Sequence, residues 1–296
     1  MVLLLVSFFD QIESNKRNSY LLMAVVLALV FAVVYAFSYI FLNGDPIGFV
    51  LSAVLAAAYI IISYYLSDRI VLSISGAREA AKGEYPYLIN VVEGLSIAAG
   101  IPKPKIYIMD DPALNAFATG TSPEKASVVF TTGLLNSMNR AELEGVAAHE
   151  ISHIRNYDVR MATIAVVMIG LIAILADLGI RQMFWGRRGG GSRDKGGGYM
   201  VLLGLIILIL APIAAQLVRL ALSRQREYLA DASGAQLTRY PPGLASALEK
   251  IKSTGAQVQR ATDATASLYI ANPLSVGQLF STHPPIDERI RMLRSM

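Results

Sequence analysis

No cysteine occurs in the 296 residues. Disulfides and thiolate-held metals are therefore excluded, and a reducing compartment is compatible with the composition. Charge is also scarce: 16% of residues are charged and 54% are hydrophobic, against roughly 25% charged in ordinary soluble domains. The shortage is uneven, because whole stretches carry no charge, and that pattern points to a membrane protein. The net charge of +4 is modest, and the basic residues form no stripe interleaved with aromatics. No nucleic-acid partner is expected. Histidine is rare as well, with three residues in all.

Four apolar runs stand out, at about 20–42, 47–66, 161–180 and 199–222. Each is long enough to cross a bilayer. A buried helix of a large globular core is the alternative, but uncharged runs of this length are more often membrane spans. The third run contains Asp177, and the fourth is uncharged until Arg219. Residues 1–9 are apolar, but charges follow them and no small-residue cleavage site does, so a cleaved signal peptide is not expected. The expected organisation is an N-terminal cytoplasmic segment (1–19), two transmembrane helices (20–66), a first catalytic half (67–160), two more transmembrane helices (161–222) around a Gly/Arg-rich loop at 181–198, and a second catalytic half (223–296).

Between residues 68 and 160 charges return at ordinary density. Residues 77–99 read as an amphipathic helix broken near Gly83 and Pro86. Residues 105–109 and 127–131 read as strands, and 115–120 as an edge strand between them. Asn139, with Glu142 three residues on, predicts a capped helix start. That helix carries His149-Glu150-Ile151-Ser152-His153, an H-E-x-x-H sequence. Histidines four apart on a helix share one face and can hold one zinc ion, while Glu150 beside them is placed as a general base. The alternative is a surface helix with two histidines flanking an acid. Apolar neighbours Val146, Ala147, Ala148 and Ile151 argue for burial, where polar groups need a reason.

Two histidines leave a catalytic zinc one protein ligand short. His283 is one candidate for the third ligand and Glu227 the preferred one. Glu227 and Asp231 lie four apart on a predicted helix and face one way. The aspartate can then accept a hydrogen bond from the free ring nitrogen of a ligand histidine.

The ordered set His149–His153, Glu227-Tyr228-Leu229-Ala230-Asp231 and Thr282-His283-Pro284-Pro285 resembles the HtpX family of membrane-bound zinc metalloproteases, relatives of the CAAX prenyl endoproteases. Asp10-Gln11-Ile12 with Asn15-Lys16-Arg17, Asn115-Ala116-Phe117-Ala118-Thr119-Gly120 and the Gly/Arg loop also match. The resemblance covers essentially the whole chain. It implies a membrane α-helical protein of about four transmembrane helices with an α+β zincin-like metalloprotease domain. It implies a gluzincin site: His149, His153 and Glu227 as ligands of one Zn2+, Glu150 as base and Asp231 behind a ligand histidine. It further implies that Asn115 and Ala116 pair with the substrate backbone and that His283 stabilises the oxyanion. The implied activity is a zinc endopeptidase acting on misfolded or membrane proteins in quality control.

Glu227 and His149 meet at one metal only if the chain crosses the membrane an even number of times between them. With four spans, segments 1–19, 67–160 and 223–296 share a side and carry 2, 9 and 9 of the 26 basic residues. The positive-inside rule places them in the cytoplasm of a multi-pass cell-membrane protein. The five basic residues of the 181–198 loop oppose this, and a hairpin that does not fully cross would relieve the conflict. The short links from His153 to residue 161 and from residue 222 to Glu227 would hold the metal within about 15 Å of the lipid. Two other functions fit less well. A CAAX-type processing protease needs a chamber built from more spans, and a non-catalytic scaffold with a zinc site needs no Glu150.

Overall fold

The structure is a computed structural model, and it describes residues 8–41, 45–167, 224–262, 265–272 and 284–296. The chain begins with two long helices, α1 (Phe8–Phe41) and α2 (Pro46–Ser75). Pro46 sits in the first turn of α2, where its missing N–H is not needed, and the Asp45 side chain accepts the Ile47 N–H. The two helices pack on each other, and the buried face of α1 is Asn15, Ser19, Leu22, Val26 and Val30, at the three- and four-residue spacing of one helix side. The buried side of α2 includes Gly48, Ser52 and Ala56, small residues four apart that let the helix backbones approach. Outward, α2 exposes Ile47, Phe49, Val50, Val54 and Ile61. Among the described residues, α2 is the one helix long and apolar enough to cross a membrane by length and composition. The third and fourth apolar runs lie, but for residues 161–167, outside the described residues, as does the 181–198 loop.

The helices do not stop where charge returns. Helix α1 runs unbroken through residues 19 and 20, α2 continues nine residues past 66, and a helical segment covers 158–167 across residue 160. Backbone hydrogen bonding follows caps and turns rather than hydropathy. The 158–167 segment adds Met161 and Ile164 to the cluster formed by Leu22, Val26, Val30 and Ala56.

The sheet has four strands in the order β1-β2-β4-β3, with β1 (Arg78–Glu79), β2 (Lys105–Met109), β3 (Ala116–Thr119) and β4 (Ser127–Thr131). Strands β2 and β4 are parallel, and the outer pairs are antiparallel. Residues 77–85 are therefore not helical as expected; they form β1 and a turn, and helix α3 (Pro86–Ala99) starts only at the proline. Thr131 caps the short helix α4 (Thr132–Ser137). Helix α5 (Arg140–Arg155) opens on the expected capping box of Asn139 and Glu142. After the undescribed stretch come α6 (Arg224–Thr238), α7 (Pro241–Thr254) and α8 (Ile286–Arg294).

Helix α5 is the centre of the domain, packed on α3, α6, α7 and β3. Two glycines set its spacing. A Cβ at Gly145 would lie 2.6 Å from the Leu244 backbone nitrogen, and one at Gly234 would lie 3.1 Å from that of His149. The close passage of α6 at Gly234 brings Glu227 and Asp231 against the two histidines of α5.

Candidate metal centre

Three ligand-type atoms converge between α5 and α6. His149 Nε2 and His153 Nε2 are 3.1 Å apart, and the Glu227 carboxylate oxygens lie 3.7 Å from the first and 3.5 Å from the second. Tetrahedral ligands at about 2.0–2.1 Å from a zinc ion stand roughly 3.3 Å from one another. The spacing and the donor set fit such an ion. Both imidazoles are also turned for it, because each Nδ1 is held by a carboxylate and each Nε2 is left for the centre. Asp231 Oδ1 lies 2.9 Å from His149 Nδ1, and Asp158 Oδ2 lies 3.0 Å from His153 Nδ1.

The two imidazoles differ in electrostatics. Burial pulls His149 down to about 4, and Asp231 does not reverse this, since its own charge is committed to Arg289. Burial pulls His153 down as well, but the bond to Asp158 and the charge of Glu227 outweigh it and carry the pKa up to about 9. The nearest described cation to Asp158, Arg226, stands 4.0 Å away, so that carboxylate leans on the histidine. Burial also raises Glu150 to about 8. Its Oε1 is buried and, among the described residues, has no hydrogen-bond partner. It faces a cleft of about 30 Å³ shared with His153, Glu227 and Ala118, which is room for one or two waters.

The structure thus brings together His149, His153, Glu227, Glu150 and Asp231. His283 lies outside the described residues. Asn115 and Ala116 are at the β3 edge, as expected, but that edge is partly taken by the chain itself. The Ile270 N–H donates to the Ala116 carbonyl, Phe117 bridges to Tyr269, and Asn115 Nδ2 donates to the Ala271 carbonyl at 3.1 Å.

Two residues of the site escaped the sequence analysis. Asp158 follows α5 and cannot share the histidine face by helical spacing; it returns to His153 through a corner at Tyr157, whose φ is +61°. Arg289 on α8 is 1% exposed and makes two bonds to Asp231, Nε to Oδ2 at 2.8 Å and a terminal nitrogen to Oδ1 at 2.7 Å. Its other terminal nitrogen donates to the Ile270 carbonyl at 2.8 Å. Burial disfavours both charges of the pair, yet each holds the other ionised, with Asp231 well below the usual carboxylate range and Arg289 above the usual arginine value. A signal was present: Arg289 sits on the same helix face as Ile286, Ile290 and Leu293, and a charge on an apolar stripe calls for a buried partner.

Comparison with known proteins agrees with this geometry. Residues 83–296 match the model of Peptidase family M48. A protease HtpX homolog of Dictyoglomus turgidum is 56% identical over 98% of this chain and 95% of its own length. One from Streptococcus thermophilus is 45% identical over 97% of this chain and 99% of its own. Among solved structures, the crystal structure of S. mikatae Ste24p superposes with a TM-score of 0.52 at 19% identity, covering 95% of this chain and 66% of that one; at that identity the likeness is one of fold. With an apolar, outward-facing helix and a cluster of His149, His153 and Glu227 that could hold a metal, the chain is a membrane metalloprotease that belongs to peptidase family M48, among the protease HtpX homologues.

Proposed function

We propose that the chain is a zinc-dependent endopeptidase that works at the cytoplasmic face of the cell membrane on unfolded chains and on exposed segments of membrane proteins. The observation that carries this is the convergence of His149, His153 and Glu227 beside a buried Glu150 oxygen without a hydrogen-bond partner among the described residues. Those three side chains would hold the zinc, whose Lewis acidity would act on the attacking water and the scissile carbonyl. Glu150 accepts the water's proton at Oε1 and returns it to the leaving amine. Asp231 and Asp158 keep the two imidazoles aimed. A substrate strand adds to the β3 edge at Asn115 and Ala116 in place of the Tyr269–Ile270 contact, by main-chain pairing that tolerates many sequences. The cytoplasmic placement is supported by the basic residues of segments 67–160 and 223–296, and quality control by the resemblance of the ordered motif set. His283 remains the proposed oxyanion donor.

The test is metal content and cleavage of an unfolded substrate such as casein, with the full chain in detergent. Wild type should hold one zinc per chain and lose activity to a chelator. Glu227→Ala should lose both zinc and activity. If Glu227→Ala keeps its zinc and His283→Ala loses it, the third ligand is misassigned.

A pH dependence follows from the metal-free site. Near pH 7, His153 (about 9) and Glu150 (about 8) both hold a proton, and His149 (about 4) does not. Ligation needs neutral imidazole, and a dication draws the proton from Glu150. Zinc uptake near pH 7 should therefore release about two protons. Apparent affinity should rise steeply up to about pH 8, less steeply to about 9, and then level off. Calorimetry in buffers of different ionisation enthalpy measures the release; a buffer-independent heat would contradict it.

A further inference from the structure

Asp158 holds one oxygen toward His153 and the other toward the N-terminal helix. Asn15 on α1 is 1% exposed, and its Nδ2 donates to Asp158 Oδ1 at 2.7 Å and to the Asn156 carbonyl at 2.9 Å. The two acceptors flank Tyr157, the corner residue in the left-handed conformation. A non-glycine residue holds that conformation at a cost, and it persists only where its surroundings fix it. The surroundings here belong largely to α1: the Lys16 ammonium stands 4.2 Å over the Tyr157 ring, with the Arg160 guanidinium 4.9 Å from it, and Arg160 also stacks on Tyr20 at 5.6 Å. Ser19 donates to the Asn15 carbonyl within α1. The Asp158 carboxylate also faces the His153 ring, and Arg226 stands 4.0 Å from it.

We infer that Asn15 is a positioning residue for the His153 imidazole, acting through Asp158. Its two N–H bonds fix the corner and present Asp158 Oδ2 to His153 Nδ1, which leaves Nε2 directed at the metal site. A helix that packs on the apolar helix α2 thereby takes part in shaping the metal centre. This rests on the proposed zinc site.

The test uses the full chain in detergent, with zinc affinity measured by competition against a fluorescent chelator. Asn15→Ala should weaken zinc binding about tenfold, the lower end for losing a hydrogen-bonding partner behind a ligand. It should lower kcat by a similar factor while KM stays within about twofold of wild type. Asn18→Ala, which removes only a bond to Ser14 on the same helix, should change neither. In an Asp158→Asn background the Asn15→Ala effect on zinc affinity should largely vanish, because both changes break one chain of contacts. A purely structural role for Asn15 would lower thermal stability without that non-additivity. If Asn15→Ala does not fold, Asn15→Ser is measured by the same criteria. Wild-type zinc affinity in the variant, or an undiminished effect in the Asp158→Asn background, overturns the inference. A wild type that binds no zinc would instead defeat the proposed function itself.

Discussion

Replacing Glu150 by glutamine should leave the fold and the zinc in place and cut turnover by about 10²–10⁴, the range of a lost general base. The substitution is nearly isosteric, and it falls at a position 1% exposed in the middle of α5, so no cavity opens. It also removes a group that burial already disfavours as a charge: in the metal-free protein the carboxyl sits at about 8 and is neutral at pH 7. An amide there costs little, and the metal-free variant should melt no lower than wild type. What the amide lacks is a site to take the water's proton. KM for an unfolded substrate should stay near wild type, since substrate pairing is assigned to β3 rather than to Glu150. Steady-state cleavage and metal content, measured on the same preparation, decide it. A variant that keeps more than about a tenth of wild-type turnover at neutral pH, beyond the smallest effect expected of a lost base, would remove Glu150 from that role.

The parts of this site that are local in sequence were legible. The capping box at Asn139 and Glu142 fixes where α5 begins, and four-residue spacing then dictates that His149 and His153 share a face. The same spacing aligns Glu227 with Asp231 on α6. Contacts that depend on a corner or on a distant helix were not legible. Asp158 reaches His153 only because Tyr157 turns the chain through the left-handed region. Arg289 reaches Asp231 from 58 residues away. The β3 edge was read correctly from its pattern, but its partial cover by Tyr269 and Ile270 is a pairing no period reveals. Hydropathy bounds the apolar stretches but not the helices that carry them, because α1 and α2 continue through charged residues wherever the backbone ladder has no reason to stop.

Arg289→Met should produce the largest loss of stability at this site, together with a loss of metal affinity. Arg289 and Asp231 form a buried pair, 1% and 3% exposed, joined by two bonds. Methionine fills much of the arginine stem but leaves the Asp231 carboxylate buried without its counter-charge, which typically costs about 3–5 kcal/mol. The carboxylate then gains a proton or shifts toward water, and either change releases His149 Nδ1 from its orienting bond. Loss of such a bond behind a ligand lowers metal affinity by about 10–100-fold. The third bond matters for substrate. Arg289 also holds the Ile270 carbonyl, and Ile270 pairs with Ala116 on the β3 edge. Without it the 268–271 segment loses an anchor where substrate is proposed to add, so KM should change as well as kcat. The variant Asp231→Asn combined with Arg289→Met separates these effects. With the Asp231 charge gone, the remaining carboxylate partner of Arg289, Glu227 at 3.5 Å, is still faced by His153 at 3.5 Å, so stability should recover by a large part of the single-variant loss, while zinc affinity should stay low because the carboxylate that orients His149 is gone. Thermal unfolding of the metal-free proteins and chelator competition on the loaded ones give the two readouts. If Arg289→Met melts with wild type and keeps its zinc affinity, the buried pair is not what holds the His149 side of the centre in place.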